Sequence, residues 1–132
     1  MKDAYKLYDK YPSLLPKNSI KCKAGWYNVI NQMCAAIQVY VDNDISGMKI
    51  NPQFEYIRER YGVLDIRVSN GDDIVKLIAN SCEKLSYHTC EYCGTKGELY
   101  CSSKYKSWSH FKTLCLNHAI ELFYYKLHQK HQ

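Results

Sequence analysis

Two cysteines separated by two residues, Cys90 and Cys93, are followed 21 residues later by a Cys-x2-His pair, Cys115 and His118. Each pair is short enough to be held by one tight turn, and two such pairs supply the four soft or borderline ligands that tetrahedral zinc takes. Gly94 follows the first pair and can adopt the positive φ with which a knuckle turns its backbone N–H groups towards thiolates. Cys115 and His118 open an apolar-periodic run, so both can leave the first turn of a helix. The stretch between the pairs is long enough for a hairpin. Knuckle, hairpin and helix in that order predict a treble clef. Three thiolates and an imidazole fill all four positions, which points to a structural Zn2+ with no open coordination site. Lys96 and Lys112 stand near enough in sequence to soften the negative charge of such a centre. His88, Cys101 and His110 are spare candidates; His110 or Cys101 replaces His118 if the helix starts later, and Cys101 is expected to be a bystander in a hairpin arm.

The rest of the 132-residue chain is long enough for one core, giving an α+β domain over residues 1–88 with a zinc subdomain over residues 89–132 packed on it. A hydrophobic content of 46% excludes wholesale disorder. No apolar run reaches the ~18 residues of a membrane span, and the N-terminus lacks the apolar region of a signal peptide. The expected location is cytoplasmic, with the seven cysteines serving as metal ligands and reduced thiols. A net charge of +5 permits an acidic or nucleic-acid partner without requiring one.

In chain order, the N-terminal segment predicts a short helix through Ala4, Leu7 and Tyr8 that Pro12 and Pro16 prevent from continuing, with Tyr5, Tyr8, Tyr11, Leu14 and Leu15 packing. Residues 25–42 carry Trp26, Ile30, Met33, Ile37 and Val41 at helical spacing, and Cys34 falls within that buried set. Cys22 lies between lysines that favour a lowered thiol pKa, without a catalytic partner nearby. After a turn-rich stretch from Asp42 to Pro52, residues 53–71 predict a β-hairpin closed at Tyr61 and Gly62. That register sets Arg60 against Val63, Arg58 against Asp65 and Tyr56 against Arg67, with Ile57, Leu64, Ile66 and Val68 facing the core. Tyr56 and every arginine of the chain, Arg58, Arg60 and Arg67, then share the open face. Asp72 offers an N-cap to a second long helix with Ile74, Leu77, Ile78, Ser81, Cys82 and Leu85 along its core face. The zinc segment contributes a hairpin with Leu99 and Tyr100 on one arm, Trp108 and Phe111 on the other, and a last helix with Leu116, Ile120, Phe123 and Leu127 inward.

Catalytic readings find little support. A nuclease of the HNH type needs histidine and asparagine ligands for a catalytic ion on hairpin and helix; Cys115 and His118 occupy the helical positions, leaving only His110 with Asn117. A zinc deaminase needs a His-x-Glu element that is absent.

The stretches GWYNVINQMCAAIQ, RERYGVLDIRV, SYHTCEYCGTKGELY and TLCLNHA together resemble a family of small uncharacterised proteins of tailed phages and prophages, over roughly residues 24–120. The resemblance implies Cys90, Cys93, Cys115 and His118 as metal ligands and matches Arg58, Glu59, Arg60, Tyr61 and Gly62 to a hairpin signature. Asp65 in the second strand and the tyrosine-rich N-terminus depart from it. The expectation is a non-enzymatic accessory protein that binds a host macromolecule, most simply a protein, to inhibit or redirect it. The alternative is a nucleic-acid binder using Arg58, Arg60, Arg67, Lys104, Lys106 and Trp108. A binder of phosphorylated nucleotides or an HNH-like nuclease is a further alternative.

Overall fold

A computed structural model describes residues 4–44, 50–102 and 110–126. The chain is α+β, in two joined parts. Helix α1 (Tyr5–Lys10) stops ahead of Pro12 and buries Leu7 and Tyr8, with Tyr11, Leu14 and Leu15 packed behind them and Tyr5 left exposed. A 3-10 turn (Ala24–Trp26) leads into α2 (Tyr27–Asp42). Trp26, Val29, Ile30, Met33, Cys34 and Ile37 form its buried stripe, as the spacing predicts, while Val41 at its end is only half-buried.

Strands β2 (Gln53–Arg60) and β3 (Val63–Ser69) form the hairpin in the expected register: Arg60 opposite Val63, Arg58 opposite Asp65, Tyr56 opposite Arg67. Tyr61 (φ 54°) and Gly62 (φ 91°) are both left-handed, the requirement of a two-residue turn that matches strand twist. A bulge between Phe54 and Tyr56 restores Phe54 to the core side. The sequence reading missed β1 (Ile20–Lys21), which pairs parallel to β2 and gives the sheet order β1-β2-β3. Two residues carry no periodicity, so nothing local announces such a strand.

Helix α3 (Asp73–Ser86) starts where expected, with the Asp72 carboxylate accepting the Val75 N–H at 3.0 Å. Of the expected core face, Cys82 is buried and the rest is not. Val75, Ala79, Cys82 and Ser86 point inward, while Ile74, Leu77 and Leu85 are exposed and Ile78 is half-buried. The Ser86 hydroxyl explains part of the rotation: buried, it accepts the Leu64 N–H at 2.9 Å, a bond that ties the helix to the sheet.

The second part runs from the knuckle through β4 (Glu98–Ser102), β5 (Phe111–Leu114), α4 (Leu116–Glu121) and β6 (Tyr124–Lys126), with sheet order β5-β4-β6. The last helix is therefore far shorter than expected. Phe123 takes a left-handed conformation (φ 60°), and the next residues pair with the open edge of β4, Tyr124 opposite Ser102. A run of aromatic residues suits a strand edge better than a helix interior. Leu116, Ile120 and Phe123 are exposed instead of inward, and Ala119 is the buried helical residue; Leu127 lies outside the described residues.

The two parts are joined by hydrogen bonds between distant segments. Trp26 Nε1 donates to the Thr89 carbonyl at 2.8 Å, the Gly25 N–H to the Glu91 carbonyl at 2.8 Å, and the Thr113 hydroxyl to the Gly62 carbonyl at 2.7 Å. Among the described residues no helix is long and apolar enough to cross a membrane.

Candidate metal centre and the arginine face

Cys90 and Cys93 flank a turn that the chain is chosen to make. The Thr89–Lys96 bridge closes its base, the Gly94 N–H donates to the Cys90 carbonyl at 2.9 Å, and Gly94 itself has a φ of 81°. Cys115 stands at the N-cap of α4 in extended conformation, and His118 lies in the first helical turn. Both pairs therefore arrive as the spacing predicts.

The four side chains converge. One ligand atom from each of Cys90, Cys93, Cys115 and His118 lies within 4.8 Å of all the others. Zinc bond lengths imply tetrahedron edges of ~3.8 Å between two sulfurs and ~3.6 Å between sulfur and nitrogen. The Cys93 and Cys115 sulfurs are 3.7 Å apart, and Cys90 Sγ is 3.6 Å from His118 Nδ1. Cys115 Sγ comes closer to the same nitrogen, at 3.2 Å. The arrangement is consistent with a metal site, with Nδ1 as the histidine ligand atom. His88, Cys101 and His110 stand outside this cluster, and Cys101 is buried within β4.

Electrostatics favour anionic ligands at two positions. Burial resists ionisation of Cys115, but the His118 backbone N–H and ring, with the neighbouring thiols, draw it down to about 6. Burial likewise opposes ionisation of Cys93, yet hydrogen bonds from the Thr95 side chain and backbone lower it. Burial raises the enclosed Cys90 thiol, against backbone N–H groups of Cys115, Cys93 and Tyr92 that turn towards its sulfur. Hydrogen bonding to Cys115 raises His118. The Tyr92 ring stacks on the His118 imidazole with centroids 5.4 Å apart, fixing its plane.

Lysine compensation differs from expectation. Lys112 Nζ lies 3.7 Å from a carboxylate oxygen of Glu91, a side chain only 3% exposed, so its charge is committed there. Burial raises the Glu91 carboxyl despite this neighbour. Lys112 was singled out by sequence but Glu91 was not, because a pair enclosed between two distant segments leaves no local signature. Cys22 is also corrected: burial raises its thiol strongly, with Glu91 adding to the effect, so its flanking lysines do not activate it.

The outer face of β2 and β3 gathers Tyr56, Arg58, Arg60 and Arg67 as expected, and each arginine is partnered. Arg58 Nε lies 2.9 Å from Asp65, an Arg60 nitrogen 3.7 Å from the same carboxylate, and Arg67 Nε 3.5 Å from Glu55. The Arg58 guanidinium also lies 4.1 Å above the Tyr56 ring, and that of Arg60 5.0 Å from the Tyr61 ring. Lys104, Lys106 and Trp108 lie outside the described residues.

Fold and cluster together define an α+β protein with a three-cysteine, one-histidine candidate metal centre. No protein family, curated protein or solved structure matches the chain.

Proposed function

We propose that the chain is a non-catalytic, zinc-stapled binding protein of phage or prophage origin that docks on a protein of the host cell. The closed ligand set carries this reading: four protein ligands at tetrahedral spacing leave zinc no position for substrate. The knuckle, hairpin and helix order supports a treble clef. The ion's task is then to hold β4, β5 and α4 against the core.

The arginine face is the proposed contact surface. Its three guanidiniums are partly neutralised by two carboxylates, Asp65 and Glu55, which weakens attraction for a phosphate backbone. Arginine laid against the half-buried Tyr56 and the exposed Tyr61 is the composition of protein-interface anchors. This favours a protein partner over nucleic acid, the second reading.

Elemental analysis of the purified chain is expected to find one zinc per molecule, lost in Cys115→Ala. A pull-down from host lysate is expected to retain one protein with wild type and to lose it with Tyr56→Ala/Arg58→Ala, which keeps its zinc. Turnover of a nucleic acid or nucleotide, or oligonucleotide binding that weakens steeply with salt, would refute the proposal.

A further inference from the structure

Helix α3 carries two apolar arcs, and the fold uses one. Val75, Ala79, Cys82 and Ser86 face the core. The other arc leaves Ile74 45%, Leu77 61% and Leu85 49% exposed, and it continues across a shallow apolar groove formed with Val29, Met33 and Ala36 of α2. Val39, further along α2, is 61% exposed. Large aliphatic side chains grouped on two adjacent helices mark an interaction surface rather than scattered surface residues.

We infer that this face pairs with a second copy of the same chain, α3 lying antiparallel to its counterpart about a two-fold axis that passes between Ile78 and Ser81 on the exposed side. Each end of the arc carries an exposed aliphatic residue preceded by a charge. Asp73 precedes Ile74 at one end, and Lys84 precedes Leu85 at the other. Antiparallel pairing sets Ile74 against Leu85 of the second copy and brings Leu77, Ile78 and Ser81 around the axis. Asp73 and Lys84 are separated by about three helical turns, so they lie on the same flank of the helix. A perpendicular two-fold brings like flanks together, and each Asp73 then meets a Lys84. An isologous interface requires this self-complementarity in both shape and charge. The centre of the arc carries no charge that self-association would bury unpaired. The face lies on the helical layer, away from the arginines on the outer side of β2 and β3, and the inference is independent of their role.

Sedimentation velocity on the full-length zinc-loaded chain is expected to show a monomer–dimer equilibrium that Leu77→Glu shifts to monomer. Asp73→Lys or Lys84→Asp alone creates two like-charge contacts per dimer and should weaken association on the order of tenfold or more. The combined Asp73→Lys/Lys84→Asp variant restores the dimer. Unchanged far-ultraviolet circular dichroism verifies folding of these surface variants. A chain monomeric at every concentration, a dimer indifferent to the single reversals, or a double reversal as weak as the singles would overturn the inference.

Discussion

Gly25 occupies the tightest point between the metal knuckle and the core. A Cβ built there would lie 2.3 Å from the Cys90 carbonyl oxygen and 2.4 Å from that of Glu91, distances that only displacement of the backbone relieves. The same residue donates its N–H to Glu91, and Trp26 beside it is fully buried with its indole bonded to Thr89. Gly25→Ala is therefore expected to cost ~1–3 kcal/mol, the usual range for overpacking a close contact. Urea denaturation would measure that loss, and zinc affinity should fall with it, because the carbonyl pushed away belongs to a ligand residue. An unchanged midpoint and affinity would show that the knuckle tolerates displacement. Residues differ in how openly they declare such roles. Cys90, Cys93, Cys115 and His118 were legible because ligand chemistry and spacing are local properties. Gly25 was not, since its obligation is to a segment far along the chain.

At the scale of elements, legibility depended on whether geometry was set by neighbours in sequence. The β2–β3 register was readable from the turn as far as Tyr56 and Arg67, because a two-residue turn at Tyr61 and Gly62 sets those pairs, whereas the bulge before Tyr56 shifts the pairs of Phe54 and Gln53. The phase of α3 was not, because Ile74, Leu77, Ile78 and Leu85 form a stronger apolar arc than the Val75, Ala79 and Cys82 arc that the core selects. Likewise, the end of α4 is set by an open strand edge on β4, which the local pattern does not contain. The cap of α3 was readable, and it gives a pH prediction. Asp72 accepts a hydrogen bond from the Tyr40 hydroxyl and another from the Val75 N–H, and these hold its carboxyl below the ordinary carboxylate value. A carboxyl lowered in the folded state contributes stability above its unfolded pKa, and that contribution disappears as pH falls through the folded pKa. Asp72→Asn keeps a capping oxygen but has no charge to titrate. The stability difference between wild type and this variant, measured by urea denaturation, should be present near neutrality and shrink below about pH 4. A difference constant with pH would mean that the carboxylate's charge plays no part in the cap.

For the whole molecule, the proposed zinc poses the question whether the ion would support only its own segment or the entire fold. Most described buried apolar residues fall into a larger cluster, from Leu7 to Cys82, and a small one of Cys90, Tyr100, Leu114 and Ala119, with Cys101 and Phe111 buried outside both. Six buried apolar side chains are few to hold β4, β5 and α4 by apolar burial alone, and small metal-binding segments draw their stability from the ion. Structural zinc contributes on the order of 10 kcal/mol in isolated zinc-binding peptides, comparable to the total stability of a domain. Its loss should therefore open the second part, and the Gly25–Glu91 and Trp26–Thr89 bonds should carry the effect into the start of α2. The β1-β2-β3 sheet contacts the second part chiefly where Gly62 meets Thr113 and should be less affected. Hydrogen exchange read by mass spectrometry, before and after chelation, is expected to show protection lost throughout β4 and β5, reduced at Trp26–Ile30 and best retained in β2 and α3. If chelation left the start of α2 fully protected, the two parts would be independent folding units and the hydrogen bonds between them incidental. If every segment lost protection equally, zinc would be a condition for folding the whole chain.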